Sequence, residues 1–406
     1  MLTNPSQTRV SGPLSAFTAG FADELARQGY RPGVAGNHMR LLAQLSRWLV
    51  GEGLGADGLR TTEVERFLLA RRAAGYTQLL SIKAMQPVLA YLSGLGMAPT
   101  PLPPTPRGPV EAALERYRSY LMAERGLGAQ TARGYVDAVR LFLCGRILPD
   151  GLALDLGQLT AADVVSFVVS RCPRQGHSAA KQTVTALRSL LGFLHVEGTI
   201  ERSLAFAVPS VACRRLVGLP KGLDPDQVRR LLASCDSSTR NGCRDFAILT
   251  MLVRLGLRAA EVAKLAFDDI NWRAGEIVVH GKANCNERLP LPGDVGEAIA
   301  AYLHSGRPAT AHGRTIFVRI KAPHRPLSAC GVTQVVAAAA RRAGLGQIYA
   351  HRLRHTAATQ MLRAGASLPE IGQLLRHRRA LTTAIYAKVN HDALRTIARP
   401  WPGDVA

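Results

Sequence analysis

Residues 98–109 read APTPLPPTPRGP, six prolines in twelve positions. Proline fixes φ and lacks the amide donor that a helix or a central strand needs, so this stretch is expected to be an extended, fairly stiff linker. It divides the 406-residue chain. A weaker break falls at residues 209–221, where Pro209 and Pro220 flank the basic Cys213-Arg214-Arg215 and precede the helix-start signature Asp224-Pro225-Asp226-Gln227. Three folded parts are therefore expected, at 14–97, 110–208 and 222–398. Residues 1–13 are read as a flexible N-terminus and 399–406 as a C-terminal tail.

The first two parts look alike. LRTTEVERFLLARR begins at Leu59 and LTAADVVSFVVSRC at Leu159. At a constant offset of 100, Val64, Phe67, Leu68, Leu69 and Arg71 match Val164, Phe167, Val168, Val169 and Arg171. Each segment follows a stretch with apolar residues at i, i+3, i+4 spacing, residues 38–50 and 135–147, which predicts helices. Two copies of a small four-helix module fit this pattern, the alternative being a chance likeness of amphipathic helices. Each copy would offer basic surface, at Arg71-Arg72 and at Arg171, Arg174 and Lys181.

Composition narrows the partners. With 51 Lys and Arg against 29 Asp and Glu, the formal charge is +22, which concentrates polyanions at the surface and supports contact with a phosphate backbone. Seven of the cations are lysines and 44 are arginines, whose planar guanidinium binds phosphate oxygens in pairs. Genomic base composition also favours arginine codons, but it leaves the net charge unexplained. At 47% hydrophobic and 20% charged residues the chain is globular. Its longest largely apolar run, residues 246–253, is far shorter than the ~18 residues of a membrane span, and residues 1–10 lack a signal-peptide core. The seven cysteines form no C-x-x-C pair, so neither a disulfide framework nor a zinc site is indicated. These features predict a DNA-associated protein of the cytoplasm with no membrane contact.

The third part mixes helices with a few strands. Glu276-Ile277-Val278-Val279-His280 and the later Leu289-Pro290-Leu291-Pro292 predict a hairpin around a polar turn. Residues 332–343 and 351–363 are helical by periodicity, and Ser367-Leu368-Pro369-Glu370 is a capping box that starts a helix running toward Arg376. Arg258 opens a helix after the Gly256 break, near the positive end of its dipole. Lys282 follows Gly281 in the hairpin turn. His351, Arg354 and His355 share one helix face at i, i+3, i+4. His351 and His355 could chelate zinc, but Arg352 stands where H-E-x-x-H has its acid, so no metal is expected.

Arginine, hairpin lysine, H-x-L-R-H, then His377 and Tyr386 in this order resemble the tyrosine recombinase (phage integrase) family. HRLRHTAATQMLRAGASLPEIGQLLRHRRALTTAIYAKV, residues 351–389, is similar to the family's second motif box. The likeness covers the third part and extends to the family's helical core-binding (SAM-like) domain in VEAALERYRSYLMAERGLGAQTARGYVDAVRLFL, from Val110. The first ~100 residues lie outside the usual two-domain plan. Departures are Leu255 where a small residue or Thr is common, loss of the second lysine of the hairpin pattern, and Arg376 where Gly is common. The implied fold is multidomain and mainly α: helical N-terminal DNA-binding modules and a mixed α+β catalytic domain with a small hairpin sheet.

The chemistry follows from the residue types. Breaking a phosphodiester while keeping its energy requires a protein nucleophile, a role for Tyr386. Arg258 and Arg354 can each donate paired bonds to the non-bridging oxygens as charge builds up, in place of a metal. A phenol with an ordinary pKa of about 10 must give up its proton as it attacks, and the motif places His351 to take it. The resemblance assigns leaving-group protonation to Lys282 and a phosphate hydrogen bond to His377. Glu261 and His355 are read as holding the arginines and their helix in place. Arg71, Arg171, Lys181, Arg214, Arg215 and Arg376 are the candidate DNA contacts. The function implied is site-specific recombination or integration through a 3′-phosphotyrosyl intermediate without metal, ATP or other cofactor. A homotetramer on double-stranded DNA with a specific core site follows from the family plan, with partner recombinases an open possibility. The rivals are type IB topoisomerase-like relaxation, disfavoured by two tandem DNA-gripping modules, and a non-catalytic DNA-binding accessory factor, disfavoured by the intact set of six catalytic residues.

Overall fold

The computed structural model describes residues 8–97, 108–212, 222–281 and 286–376, together with Thr383 and Tyr386. Cα packing groups the chain into two compact units, one of residues 101–215 and the other of residues 1–100 with 216–406.

The unit at 101–215 is a four-helix module: α5 (Pro109–Ala123), α6 (Ala129–Cys144), α7 (Ala161–Arg171) and α8 (His177–Val196). Pro109 occupies the first turn of α5, where its missing N–H costs nothing. Thr160 caps α7 in a reciprocal box with Asp163, whose carboxylate also pairs with Arg146 at 2.8 Å. Leu187, Leu190, Leu191 and Leu194 of α8 are fully buried against Tyr117 and Leu121 of α5 and Leu143 of α6. The Tyr117 hydroxyl donates to the Ala186 carbonyl at 3.1 Å, satisfying a polar atom that this core would otherwise strand.

The other unit holds two modules. The N-terminal one is again four helices, α1 (Thr18–Arg27), α2 (Pro32–Gly51), α3 (Thr61–Ala73) and α4 (Ile82–Gly94), closed around Phe21, Met39, Leu42, Leu45, Leu49, Met85 and Leu92. The offset of 100 extends to burial. Val64 and Val164 are buried, as are Leu68 and Val168, whereas Leu69 and Val169 are 59% and 62% exposed. Phe67 and Phe167 each lean on an aromatic ring of the preceding helix, Trp48 at 5.7 Å and Phe142 at 5.2 Å. A seam joins this module to the rest of its unit at Gly29, whose φ is +80° and whose Cα is so close to His324 and Thr310 that no Cβ would fit.

From Leu223 onward lies the largest core. Its helices are α9 (Pro225–Ala233), α10 (Arg240–Arg254), α11 (Ala259–Lys264), α12 (Gly293–Ala301), α13 (Ala329–Arg342), α14 (Ala350–Arg363) and α15 (Leu368–Leu374). The apolar run at 246–253 is the C-terminal half of α10, where Ile248, Leu249, Met251 and Leu252 are all fully buried. Turns of helix this apolar must be surrounded, and α12, α13 and α14 all pack against α10. The sheet is antiparallel, β1 (Ile270–Asn271), β2 (Glu276–His280) and β3 (Asn286–Pro290) in that order, with Ile277 opposite Leu289. The second strand begins earlier than the leucines predicted, because Asn286, Glu287 and Arg288 alternate polar side chains along an edge that tolerates them.

Candidate active site

The site forms where α10 turns into α11 and where α14 and α15 meet. Gly256 makes the first turn possible: its φ is +58°, and an added Cβ would lie 2.5 Å from Leu375 Cδ2 and 3.3 Å from Ala357 Cβ. The turn brings Arg258 to the N-cap of α11. There its backbone N–H donates to Glu261 Oε2 at 2.7 Å and its Nη1 to Glu261 Oε1 at 2.6 Å. Arg258 remains 38% exposed at its side chain, a cation held from behind with its front open.

Glu261 is shared. Arg376 Nη2 donates to its Oε2 at 2.7 Å, and the two side chains are only 4% and 3% exposed. Burial alone would raise the Glu261 carboxyl, but the Arg258 N–H and the charges of Arg376 and Arg258 outweigh it and hold the group below the usual carboxylate range. Arg376 adopts φ +56°, a left-handed conformation that side chains rarely take, at the end of α15.

Arg354 is the buried counterpart of Arg258. It is 2% exposed, and its Nη1 donates to the Gly256 carbonyl at 2.6 Å and its Nη2 to the Leu375 carbonyl. Arg258 Nη2 donates likewise to the Arg376 carbonyl at 3.3 Å. Both arginines thus rest on the carbonyl end of α15. Burial and the neighbouring cations of Arg258 and Arg376 lower the Arg354 guanidinium to about 10, still protonated at neutral pH.

Tyr386 is 1% exposed and packs on Ala358, Leu362, Ile371 and Leu375. Its hydroxyl lies 2.9 Å from His355 Nδ1, while the His351 ring meets that of His355 edge-on at 4.5 Å between centroids. Burial pushes the Tyr386 phenol up to about 12, an effect that the Arg354 charge opposes. His355 is lowered to about 4 by burial and by the adjoining His351 and Arg354, so its imidazole is neutral near pH 7 and can hydrogen-bond the Tyr386 hydroxyl. Crowding by protein, then Arg354 and Arg258, also lowers His351.

Of the residues expected at the site, Arg258, Glu261, His351, Arg354, His355 and Tyr386 converge. Lys282, His377, Arg214 and Arg215 lie outside the described residues. His280, the last described strand residue before the turn that holds Lys282, is fixed by Asp269 at 2.7 Å and Asn286 at 2.8 Å. Neither this tether nor the contact of His355 with Tyr386 is legible in the sequence pattern, which offers His355 only as a support for the arginines and their helix. Two of the expected DNA contacts do not stand on the open surface. Arg71 is 6% exposed, its guanidinium turned inward to Gln44 and the Gln78 carbonyl. Arg376 is neutralised by Glu261 rather than presented to solvent. Arg171 and Lys181 are half-buried and Arg174 is exposed. Among the described residues no cluster of three metal-ligating side chains occurs, and no helix is long and apolar enough to cross a membrane.

A helical module is thus followed in the chain by a helix-rich domain with a three-stranded sheet, in which Arg258, His351, Arg354, His355 and Tyr386 come together. The chain belongs to the phage integrase family, whose profile matches residues 221–392, with the family's N-terminal SAM-like domain matching residues 114–198. It is 41% identical over 398 residues to the integrase/recombinase y4rA of Sinorhizobium fredii, covering 97% of this chain and 96% of that one. It is 33% identical to the tyrosine recombinase XerD of Mycobacterium tuberculosis over 71% of this chain and 96% of that protein. The fold resembles that of XerH recombinase bound to its palindromic difH substrate, with a TM-score of 0.55 at 17% identity over 83% of this chain and 94% of that one. It also resembles lambda integrase in a tetramer bound to a Holliday junction, with a TM-score of 0.53 at 18% identity over 75% of this chain and 86% of that one.

Proposed function

We propose that in this site-specific recombinase Tyr386 is the nucleophile and that Arg258, Lys282, His351, Arg354 and His377 complete the catalytic set. The Tyr386 oxygen attacks the scissile phosphorus, the bond from phosphorus to the 5′ oxygen breaks, and a 3′-phosphotyrosyl linkage preserves the energy for rejoining. Arg258 and Arg354 stabilise the charge on the non-bridging oxygens. The phenol proton passes to the histidine pair: His355 contacts the hydroxyl in the free protein, and His351 beside it relays or replaces that contact on DNA. Lys282 returns a proton to the 5′ oxygen, and His377 hydrogen-bonds the phosphate.

The observation that carries this reading is the Tyr386 hydroxyl beside a neutral imidazole and within the field of the buried Arg354. The free protein keeps this machinery closed. Tyr386 is buried, and the arginines donate to carbonyls of the Gly256 turn and of the end of α15. A phosphate entering between Arg258 and Arg354 offers both a better acceptor than a carbonyl and draws Tyr386 toward it. The working assembly is a tetramer on DNA at a specific core site, in the bacterial cytoplasm, with Arg171, Lys181, Arg214 and Arg215 gripping phosphates. Tyr386→Phe tests the assignment on a nicked suicide duplex. The variant is expected to bind the duplex as tightly as the wild type and to form no covalent adduct, whereas an adduct of unchanged yield would remove Tyr386 from its role.

A further inference from the structure

The N-terminal module contains a buried cation with no counter-charge. Arg71, in the last turn of α3, is 6% exposed, yet no carboxylate lies within ion-pairing distance among the described residues. Its Nη1 donates to the Gln44 side chain and its Nη2 to the Gln78 carbonyl at 3.0 Å, while its Nε is buried with no acceptor at all. The guanidinium lies 4.3 Å over the Tyr76 ring, which fixes its plane. An uncompensated buried charge is costly, and nature ordinarily pairs it.

Arg71 lines a cavity of about 390 Å³. Asn37, Arg40, Gln44, Thr77 and Gln78 supply the polar part of its wall, and no acidic side chain contributes. Arg40 is exposed at the rim, braced by Asn37. The loop that shapes the cavity turns through two left-handed residues, Gly75 at φ +81° and Leu79 at φ +54°, and a leucine holds such a conformation only where its surroundings fix it. The cavity therefore presents two cations, side-chain amides and a hydroxyl to whatever enters, and repels nothing negative.

We propose that this cavity is an anion site that seats a backbone phosphate of the DNA, with Arg71 at its base and Arg40 at its mouth. The inference rests on the recombinase reading, which makes DNA the abundant anion this protein meets. It gives residues 14–97 a DNA contact of their own, one that neither family profile covers.

The test uses the full-length protein and a long duplex centred on its site. Binding is measured against salt for wild type, Arg71→Met, which keeps bulk and loses charge, and Arg40→Gln at the exposed rim. Each variant is expected to make the slope of log K against log salt shallower by about 0.9, the loss of one phosphate contact. Covalent trapping on the suicide duplex at low salt should stay at the wild-type level, which separates failure of this site from failure of the catalytic assignment. In a second arm, inorganic phosphate is titrated against chloride at matched ionic strength while melting is followed. Stabilisation of the wild type but not of Arg71→Met, together with the shallower slopes, supports the proposal. Stabilisation by phosphate with unchanged slopes would assign the cavity to a free phosphate compound and overturn the DNA reading. Unchanged slopes without stabilisation would leave Arg71 as a brace for the 75–79 loop and overturn it too. Should Arg71→Met fail to fold, the Arg40→Gln slope decides.

Discussion

At the scale of single residues, Arg376 is the most informative departure. It occupies a backbone position that glycine suits, and a side chain in the left-handed region costs roughly 1–2 kcal/mol. What offsets this is the ion pair with Glu261, which lets one carboxylate brace two arginines at once. Removing one partner of a buried pair costs about 3–5 kcal/mol, more than the backbone strain that its loss could relieve. Arg376→Ala is therefore expected to lower the melting temperature and to weaken cleavage, because Glu261 then holds Arg258 alone and the carbonyl under Arg258 loses its anchor. Arg376→Gly should be less harmful than Arg376→Ala by about 1 kcal/mol, since it sheds the strained conformation along with the charge. Equal melting temperatures for the two would show that φ at this position carries no strain, and wild-type stability in both would show that the ion pair contributes nothing. The sequence marked Arg376 as an extra cation beside the site, which its place next to a histidine and a helix end makes legible. Its burial was not legible, because the partner Glu261 is 115 residues away and only the fold brings them together. The same limit explains His355: the spacing put it on one face with His351, but which ring meets Tyr386 depends on how the chain returns after α15.

Among the elements, the β2–β3 hairpin bears on the proposed reaction, because Lys282 falls in the sequence between its two strands. β-branching located β2 residue for residue, since Ile277, Val278 and Val279 are three β-branched residues in a row; that Ile277 and Val279 face the core while Val278 is half-buried is what the structure adds. The tether at its end could not be read, as Asp269 lies eleven positions earlier in a short 3₁₀ turn. Hydrogen bonds from His280 to Asp269 and Asn286 raise the His280 imidazole above its ordinary 6.5. The sign follows directly. A raised folded pKa means the tether contributes fully below about 6.5, the unfolded value, and is lost as pH rises through the folded value. His280→Gln should therefore slow cleavage more at pH 6 than at pH 9, where the wild type has itself lost the charge. If the defect lies in where Lys282 stands, a 5′-bridging phosphorothiolate, whose sulfur leaves without a proton, should restore the variant. A rate ratio that does not change with pH, or one the phosphorothiolate does not mend, would mean that the tether leaves the lysine's position untouched.

For the molecule as a whole, the proline-rich stretch and the repeat at an offset of 100 predict three parts, and among the described residues each of those segments contains buried apolar clusters of its own. Less legible was that the first part packs with the third in one unit, because the contact at Gly29 involves His324 and Thr310, residues with no periodic signature. Two roles for residues 14–97 then compete: a grip on DNA beyond the core, or a brace for the catalytic part. For the first of these roles, a proline-rich stretch of twelve residues extended at ~3.1 Å per residue would allow about 35 Å, roughly one turn of duplex, between the module and the core site. Deleting residues 1–107 separates the roles. If the module grips DNA, the truncated protein should protect about one helical turn less in a footprint and show a shallower salt dependence, since fewer phosphates are neutralised. Its trapping on a suicide duplex should survive in part, because Arg258, Arg354 and Tyr386 lie in a core that residues 14–97 do not build. If the module is only a brace, footprint and salt slope should match the full chain while the melting temperature of the catalytic part falls, and the DNA-binding role would have to be withdrawn.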